Sequence, residues 1–328
     1  MTDLTWEKCR TINLGFEMNA WNGLLGVEFD VFYKYTYDIL QNITSIYPAS
    51  LGGHVPTRMN DGTFDNKGFE LILKHRNQIS DFNYSLTGNL TYAHNRILSK
   101  RQADGTLPWQ STLGSSIGDV WGLKSMGLYQ TQEELDNAPK PIGTKPRLGD
   151  IRYMDINGDG QINSQDQVKI ARNSRPELMF ALMADANYKG FDLSADLYIS
   201  HGGTIYNPYL TTFENGGDLT AKRNGIRRNY WTQNNPSNEA PAPNMTQAPA
   251  YISSLGYQDA SYVRLRNVTF GYNFPRTLIS KAYMQSLRLY MTLSNFWTKT
   301  DVQAYGPEQT PGDYPEPRTV LFGLNVTF

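Results

Sequence analysis

The stretch FNYSLTGNLTY, residues 82–92, alternates large apolar side chains with small polar ones almost without interruption. Phe82, Tyr84 and Leu86 belong to the apolar series, and most of the residues between them carry hydroxyl or amide groups. Successive side chains of a β-strand point to opposite faces of the sheet, so this pattern predicts a strand with one apolar face and one polar face.

Eight further segments show the same alternation, so the sequence predicts nine strands in all. In the segment 261–272 the pattern is less regular, because Arg264 and Arg266 interrupt the apolar series. A strand of about ten residues tilted by ~40° rises ~25 Å, which is the height of the apolar band of an outer-membrane barrel. The other seven segments are residues 12–18, 27–33, 69–73, 180–188, 191–199, 287–293 and 320–328.

The connections between the predicted strands alternate between short and long, as in transmembrane barrels with periplasmic turns and extracellular loops. Within one long loop, the strand-like residues 120–130 are expected beside residues 150–154, in a small β element outside the membrane. Single-chain bacterial barrels have an even number of strands, so nine strands predict one part of a larger all-β barrel. The short connections are 21–23, 77–81, 189–190 and 274–285; the long ones are 36–66, 94–177, 201–260 and 297–317.

Composition narrows the classes of function. The formal net charge is −1 and no basic block stands out, which argues against nucleic acid as a partner. A single cysteine, Cys9, excludes an internal disulfide framework. The first residues lack the basic and then apolar layout of a signal peptide, so we expect the natural N-terminus to lie upstream of Met1.

Seven stretches in sequence order resemble the C-terminal third of SusC-like (RagA-like) TonB-dependent outer-membrane transporters, and together they cover essentially the whole chain, 1–328. Two of them read GDIRYMDINGDGQIN at 149–163 and YPEPRTVLFGLNVTF at 314–328. The others are residues 13–40, 50–73, 173–198, 259–281 and 286–308.

The resemblance implies an all-β fold, namely the C-terminal part of a large antiparallel transmembrane barrel of about 22 strands around a plug. The plug and the TonB-contacting segment are absent from this chain. It further implies import of glycans or peptides across the bacterial outer membrane, in contact with outer-membrane lipid. The implied partners are a SusD-like surface lipoprotein, the TonB complex and the barrel-assembly machinery, which would read the terminal Phe328. Interfacial aromatic residues are expected near the periplasmic rim at Trp21, Phe82, Tyr188, Phe191, Tyr272 and Phe274.

One local motif has the spacing of a calcium loop, with oxygen-bearing residues at positions 1, 3, 5, 7, 9 and 12 and glycine at position 6. This pattern predicts a structural calcium ion in the loop 94–177. A turn held by its own side chain to backbone hydrogen bonds is the alternative. The predicted ligands are Asp155, Asn157, Asp159, Gln161, Asn163 and Asp166.

Aromatic residues in the loop 201–260 are candidates for contact with a substrate or with the surface lipoprotein: Tyr206, Tyr209, Tyr230 and Trp231. Packing within the loops is the alternative for all four. The motif Gly114–Ser116–Gly118 has the spacing of a hydrolase elbow, but neither a buried strand before it nor a helix after it is predicted. The chain is therefore not expected to be an enzyme. A soluble carbohydrate-binding β protein with a structural calcium loop is the competing function.

Overall fold

The structure is a computed structural model that describes residues 4–43, 49–52, 57–207, 210, 229–242, 252–309 and 313–328. The strands, in chain order, are β1 (Lys8–Ala20), β2 (Leu25–Asn42), β3 (Arg58–Ile79), β4 (Phe82–Ser99), β5 (Val120–Gly122), β6 (Ser125–Leu128), β7 (Lys140–Pro141), β8 (Ile151–Tyr153), β9 (Gln161–Ile162), β10 (Val168–Ala171), β11 (Leu178–Tyr188), β12 (Phe191–His201), β13 (Thr204–Tyr206), β14 (Tyr257–Asp259), β15 (Tyr262–Asn273), β16 (Ser286–Thr300) and β17 (Thr319–Thr327).

The nine long strands form one antiparallel sheet in the order β1-β2-β3-β4-β11-β12-β15-β16-β17. Each corresponds to one of the nine strands that the alternation predicts, so the all-β fold is confirmed. Neighbours in the sheet follow one another in the chain, except where the long loops intervene. The short-turn end of the sheet carries the connections β1–β2, β3–β4, β11–β12 and β15–β16, and the long-loop end carries the others.

Helices are few and short. The α-helices are α1 (Gln132–Asn137) and α2 (Arg276–Ile279), and the described 3-10 segments are Trp21–Gly23, Ala49–Leu51, Pro108–Gln110, Ser164–Asp166, Ser254–Gly256 and Ser280–Ala282. In the part of the chain that the structure describes, no helix is both long and apolar enough to cross a membrane.

Several strands extend beyond the predicted segments at the long-loop end. β2 continues to Asn42 and β3 begins at Arg58, so part of the predicted loop 36–66 is strand. β4 likewise continues to Ser99. These extensions have no clean apolar alternation, and backbone pairing with the neighbouring strand holds them in place. The alternation of apolar and polar residues can identify only the part of a strand that has an apolar face. At the short-turn end, residues 77–79 also belong to β3 and not to the turn.

The sheet has an apolar face and a polar face. On the apolar face large side chains lie open, for example Leu14 on β1 with 73% of its surface exposed and Phe322 on β17 with 75%. The polar face carries the alternate residues of the same strands, such as Thr87 on β4 and Thr269 on β15. An exposed apolar surface that continues across nine strands indicates contact with lipid or with another protein.

Aromatic rings line the apolar face at the short-turn end. The Phe82 and Tyr188 ring centroids lie 6.5 Å apart, and those of Phe191 and Tyr272 lie 4.6 Å apart. Phe274 stacks edge-on against Tyr272 at 4.9 Å. These positions match a girdle of interfacial aromatic residues at one rim of a membrane barrel.

Candidate functional site

The middle of β15 contains an irregularity that turns an arginine onto the polar face. In the pairing with β12, Arg266 is skipped between Leu265 and Asn267. This is a β-bulge, in which one extra residue changes the direction of nearby side chains. The guanidinium carbon of Arg266 lies 3.6 Å from the ring centroid of Tyr198, which is a polar-face residue of β12. On the other side, β16 accommodates the irregularity with Asn295 in the left-handed region, at φ 59°.

Arg264, two residues earlier, is buried and holds the β16–β17 connection against the sheet. Its Nη1 lies 2.7 Å from a carboxylate oxygen of Glu308 and 2.8 Å from one of Glu316. Its Nε donates to Thr298 Oγ1 at 3.1 Å, and the Tyr262 hydroxyl donates to Glu308. A buried guanidinium is costly without partners, so these contacts both compensate the charge and fix the loop.

A second ion pair crosses three strands near the short-turn end of the polar face. Arg288 on β16 makes two hydrogen bonds to the Asp192 carboxylate on β12, of 3.0 Å and 2.5 Å. Between them, on β15, is Gly271, where an added Cβ would lie 2.5 Å from an Asp192 oxygen. The glycine therefore gives the carboxylate its space. Asn273 adds a further hydrogen bond to Asp192, of 2.9 Å.

Two long loops form a joint structure at the long-loop end. It contains the short strand pairs β5–β10, β6–β8 and, in parallel, β7–β9. The pairing of β6 with β8 confirms the predicted small β element, although Val120–Gly122 pairs with β10 and not with residues 150–154. We call the packed residues of 120–171 and 229–242 the loop module. Its buried core consists of Leu123, Leu128, Ile151, Tyr153, Ile162 and Trp231.

Hydrogen bonds also join the two loops. Trp231, from the loop 201–260, donates its indole N–H to Gln130 Oε1 at 3.0 Å. The Leu123 amide donates to the Ile252 carbonyl at 2.8 Å. Trp231 and Leu123 are buried, so their N–H groups need partners, because an unpaired polar group in a core destabilises the folded state. The described parts of the two loops therefore pack against each other in one module.

Burial also changes the acidity of two groups in the loop module. It raises the pKa of Asp150 above its ordinary value, against the opposing effect of a 2.8 Å hydrogen bond from the Arg147 amide. It raises the pKa of Tyr153 to about 12. Both shifts follow from the cost of placing a charge in an apolar surrounding, so the module core stays free of a phenolate at physiological pH.

The calcium-like loop, residues 155–166, is closed by its own hydrogen bonds. The two Asp155 oxygens accept from the amides of Gly158 and Gly160, at 2.7 Å and 2.8 Å. The fully buried Asp166 accepts from the amides of Ile156 and Asn163, both at 2.8 Å. Among the described residues, no group of three or more acidic, histidine or cysteine side chains is gathered for a metal ion. This geometry matches the turn alternative, and calcium binding stays a prediction.

The predicted loop aromatics fall into different surroundings. Trp231 is buried in the core of the loop module, so packing explains its position. Tyr206 is 41% exposed and its ring centroid lies 5.0 Å from that of Tyr257. Tyr230 is partly exposed, and Tyr209 lies outside the described residues. Tyr206 and Tyr230 therefore remain the surface candidates. At the chain's end, Phe328 follows β17 and is exposed.

Ser116 and His94, two residues of types that occur in hydrolase sites, are engaged in structural contacts. Ser116 is buried, and its hydroxyl donates to the Asn95 carbonyl at 2.8 Å. His94 Nδ1 lies 2.9 Å from one Glu177 oxygen, and Arg172 forms an ion pair with the other oxygen of the same carboxylate. Neither arrangement places a nucleophile beside a base.

Sequence reasoning missed the bulge and the role of the two arginines, although the sequence contains a signal for them. In β15 the apolar series occupies Val263 and Leu265 and then shifts by one residue to Val268. Such a phase change within a strand indicates an extra residue, here Arg266. The carboxylate partners of Arg264, Glu308 and Glu316, lie more than 40 residues away in a loop, and no local pattern predicts them.

No protein-family model matches the chain. Among curated proteins, it is similar to the TonB-dependent receptor P26 of Formosa agariphila, at 28% identity over 356 residues. It is also similar to the TonB-dependent receptor SusC of Bacteroides thetaiotaomicron, at 26% identity over 341 residues. Both alignments cover 99% of this chain but only 35% and 32% of the relatives. The chain thus spans about a third of the length of the curated relatives it matches.

Among solved structures, the RagAB peptide transporter has the same fold over 99% of this chain and 36% of its own, with a TM-score of 0.72. The sequence identity is 22%. The two curated relatives are both TonB-dependent receptors by name, a class that is consistent with a protein other than an enzyme. The chain is thus homologous along its whole length to SusC-like TonB-dependent receptors, is an outer-membrane protein, and contributes a nine-stranded sheet that corresponds to the C-terminal part of their β-barrel.

Proposed function

We propose that this chain forms part of the wall of an outer-membrane channel that imports a nutrient, either a glycan or a peptide, with energy supplied through TonB. The observation that carries the proposal is the two-faced sheet, with an exposed apolar face and a polar face opposite to it. In a membrane barrel the apolar face contacts lipid and the polar face lines the interior. A soluble carbohydrate-binding protein would bury one of these faces in a core.

The loop module supports the same proposal. It lies at the long-loop end, which faces the outside of the cell in barrels of this kind. A SusD-like surface lipoprotein would meet the channel here, near the exposed side chains of Tyr206 and Tyr230. TonB would act through segments of the transporter other than this sheet. The exposed Phe328, at the end of β17, would be the residue that the barrel-assembly machinery reads.

Uptake in cells tests this function. The complete reading frame that carries this chain is produced together with its SusD-like partner in a host that lacks both. We expect the product in the outer-membrane fraction, and uptake of labelled oligosaccharides or peptides that disappears when TonB is deleted. A strain with TonB but without the reading frame is the control. A soluble product, or uptake that continues without TonB, would exclude the function.

For the calcium-like loop we propose a structural ion, on the strength of the ligand spacing from Asp155 to Asp166. Extracellular calcium modules bind with dissociation constants on the order of 10⁻⁴–10⁻³ M. We expect the purified complete protein to bind calcium in this range by calorimetry, and the Asp155→Ala, Asp159→Ala double variant to lose one site. Asp104→Ala, which removes an exposed carboxylate from the same long loop, is the control. Equal binding by the double variant would favour the turn without an ion.

A further inference from the structure

We propose that Arg266 binds a carboxylate group of the transported molecule, and that the channel therefore favours an acidic cargo: a uronic-acid glycan or a peptide with free carboxylates. The inference rests on the proposed import function and adds the chemical class of the cargo. It follows from the place, the surroundings and the free charge of a single side chain on the polar face.

The bulge in β15 gives Arg266 its position. Without the extra residue, strict alternation from Val268 and Phe270 would place residue 266 on the apolar face, against lipid. With it, the guanidinium rests on the ring of Tyr198, at 3.6 Å from the centroid. A charged arginine on the lipid side of a barrel destabilises the folded protein. The bulge avoids this destabilisation because it places the guanidinium on the interior face. Bulges are frequent beside functional sites for this reason.

Two tyrosines of the polar face contact the Arg266 guanidinium. Its guanidinium carbon lies 3.6 Å from the Tyr198 ring centroid, and the Tyr262 hydroxyl is within hydrogen-bonding reach of the guanidinium. Tyr198 and Tyr262 in turn contact each other, with centroids 5.8 Å apart. Arginine binds carboxylates through the parallel N–H groups of its edge, which a stacked ring does not occupy. The two tyrosines therefore hold the fork in one orientation before a ligand arrives.

The neighbouring carboxylates are engaged with other groups. Asp196, on the adjacent strand, accepts from Asn267 Nδ2 at 3.3 Å. Glu308 and Glu316 both pair with Arg264. Within the described residues, no ion pair of 4.0 Å or less includes Arg266. The other polar-face arginines of β15 and β16 have carboxylate partners inside the chain, and Arg266 differs from them in this respect.

A half-buried cation without an anion retains most of its capacity for charge-assisted hydrogen bonds. A neutral sugar hydroxyl would satisfy one N–H at a time, whereas a carboxylate satisfies two in the geometry that the guanidinium offers. The half-buried Tyr198 adds aromatic surface for the apolar face of a sugar ring or for a peptide side chain. Together these features fit the carboxylate of a uronate or of an acidic residue.

Binding of four probes to the purified complete protein tests the proposal. The probes are a hexagalacturonate, neutral maltohexaose, a ten-residue glutamate-rich peptide and a ten-residue glycine–serine peptide. We expect at least one acidic probe to bind the unaltered protein. We expect Arg266→Gln to weaken that binding by at least tenfold and Arg266→Lys to weaken it less, because lysine keeps the charge but not the fork. Arg175→Gln, which removes an exposed arginine from a loop, should change it by less than twofold.

The outcomes separate this inference from the proposed function. If only neutral probes bind and are imported, the import function stands and the role of Arg266 is excluded. If acidic probes bind equally well to the Arg266→Gln and unaltered proteins, the role of Arg266 is excluded as well. Outer-membrane recovery and heat-modifiable mobility of Arg266→Gln show whether the variant is folded. Arg266→Lys provides the second variant should the glutamine protein fail to assemble.

Discussion

Lysine in place of Leu182 should destabilise the membrane-inserted protein by about 2–4 kcal/mol, the cost of a cation at the middle of the lipid-facing surface of a barrel. Leu182 lies in the centre of β11, opposite Leu197 of β12 on the apolar face. Met183, the next residue, points to the polar face, and lysine there should cost less than about 1 kcal/mol because water reaches that side. The two substitutions add the same side chain one residue apart.

The free energy of unfolding from lipid vesicles, measured by urea titration of the complete protein, checks this expectation. Heat-modifiable mobility of the product in cells gives a second measure, since only the inserted barrel resists unfolding in detergent. We expect the Met183→Lys protein to fold and the Leu182→Lys protein to be depleted from the folded, inserted fraction. If both lysines were tolerated equally, the apolar face would not contact lipid and the channel-wall function would fail with it.

Truncation of Trp231 to alanine should open the loop module. Large-to-small substitutions of buried aromatic residues cost about 3–5 kcal/mol, and Trp231 is 7% exposed within the module core. It also supplies the hydrogen bond to Gln130, so the substitution leaves a partly buried amide oxygen without that donor. The nine-stranded sheet does not depend on this contact, so the loss of stability should be local.

Hydrogen exchange of the complete protein measures this opening. The amides of Leu123 and Leu128 should exchange about a hundredfold to a thousandfold faster in Trp231→Ala, at ~1.4 kcal/mol for each factor of ten. Amides in the middle of β11 should keep their rates. Tyr230→Ala is the control, because the neighbouring tyrosine is 40% exposed and lies outside the core. Unchanged exchange at Leu123 would mean that each loop folds independently of the other.

Periodicity predicted all nine membrane strands because lipid imposes an unusually strict rule on one face. Each residue such as Leu193 or Phe270 must be apolar, while its neighbours face water. The same rule explains why the predicted strands are shorter than the observed ones. The extension of β2 to Asn42 and the start of β3 at Arg58 lie beyond the apolar band, where lipid no longer requires an apolar residue at every second position. Their buried residues include the polar Thr36 and Asp65.

The site was harder to predict because its contacts are non-local. The pairing of Arg264 with Glu308 and the packing of Trp231 beside Ile151 join segments that are distant in sequence. Of the features of the site, only the phase shift at Arg266 can be recognised in the sequence. The calcium-like spacing, by contrast, is a local pattern, and a hydrogen-bonded turn can produce it as well as an ion site.

The shared core of the loop module limits which segments can be exchanged between related genes. The loops 94–177 and 201–260 are separated in the gene by two membrane strands, yet Trp231 of the second loop packs in the core that residues of the first loop form. A recombination that exchanged one loop between related genes would bring together two half-cores of unrelated shape. New surface specificities in this lineage should therefore arise by exchange of both loops with the hairpin between them. Engineers who transplant these loops onto another barrel should take residues 94–260 as one cassette.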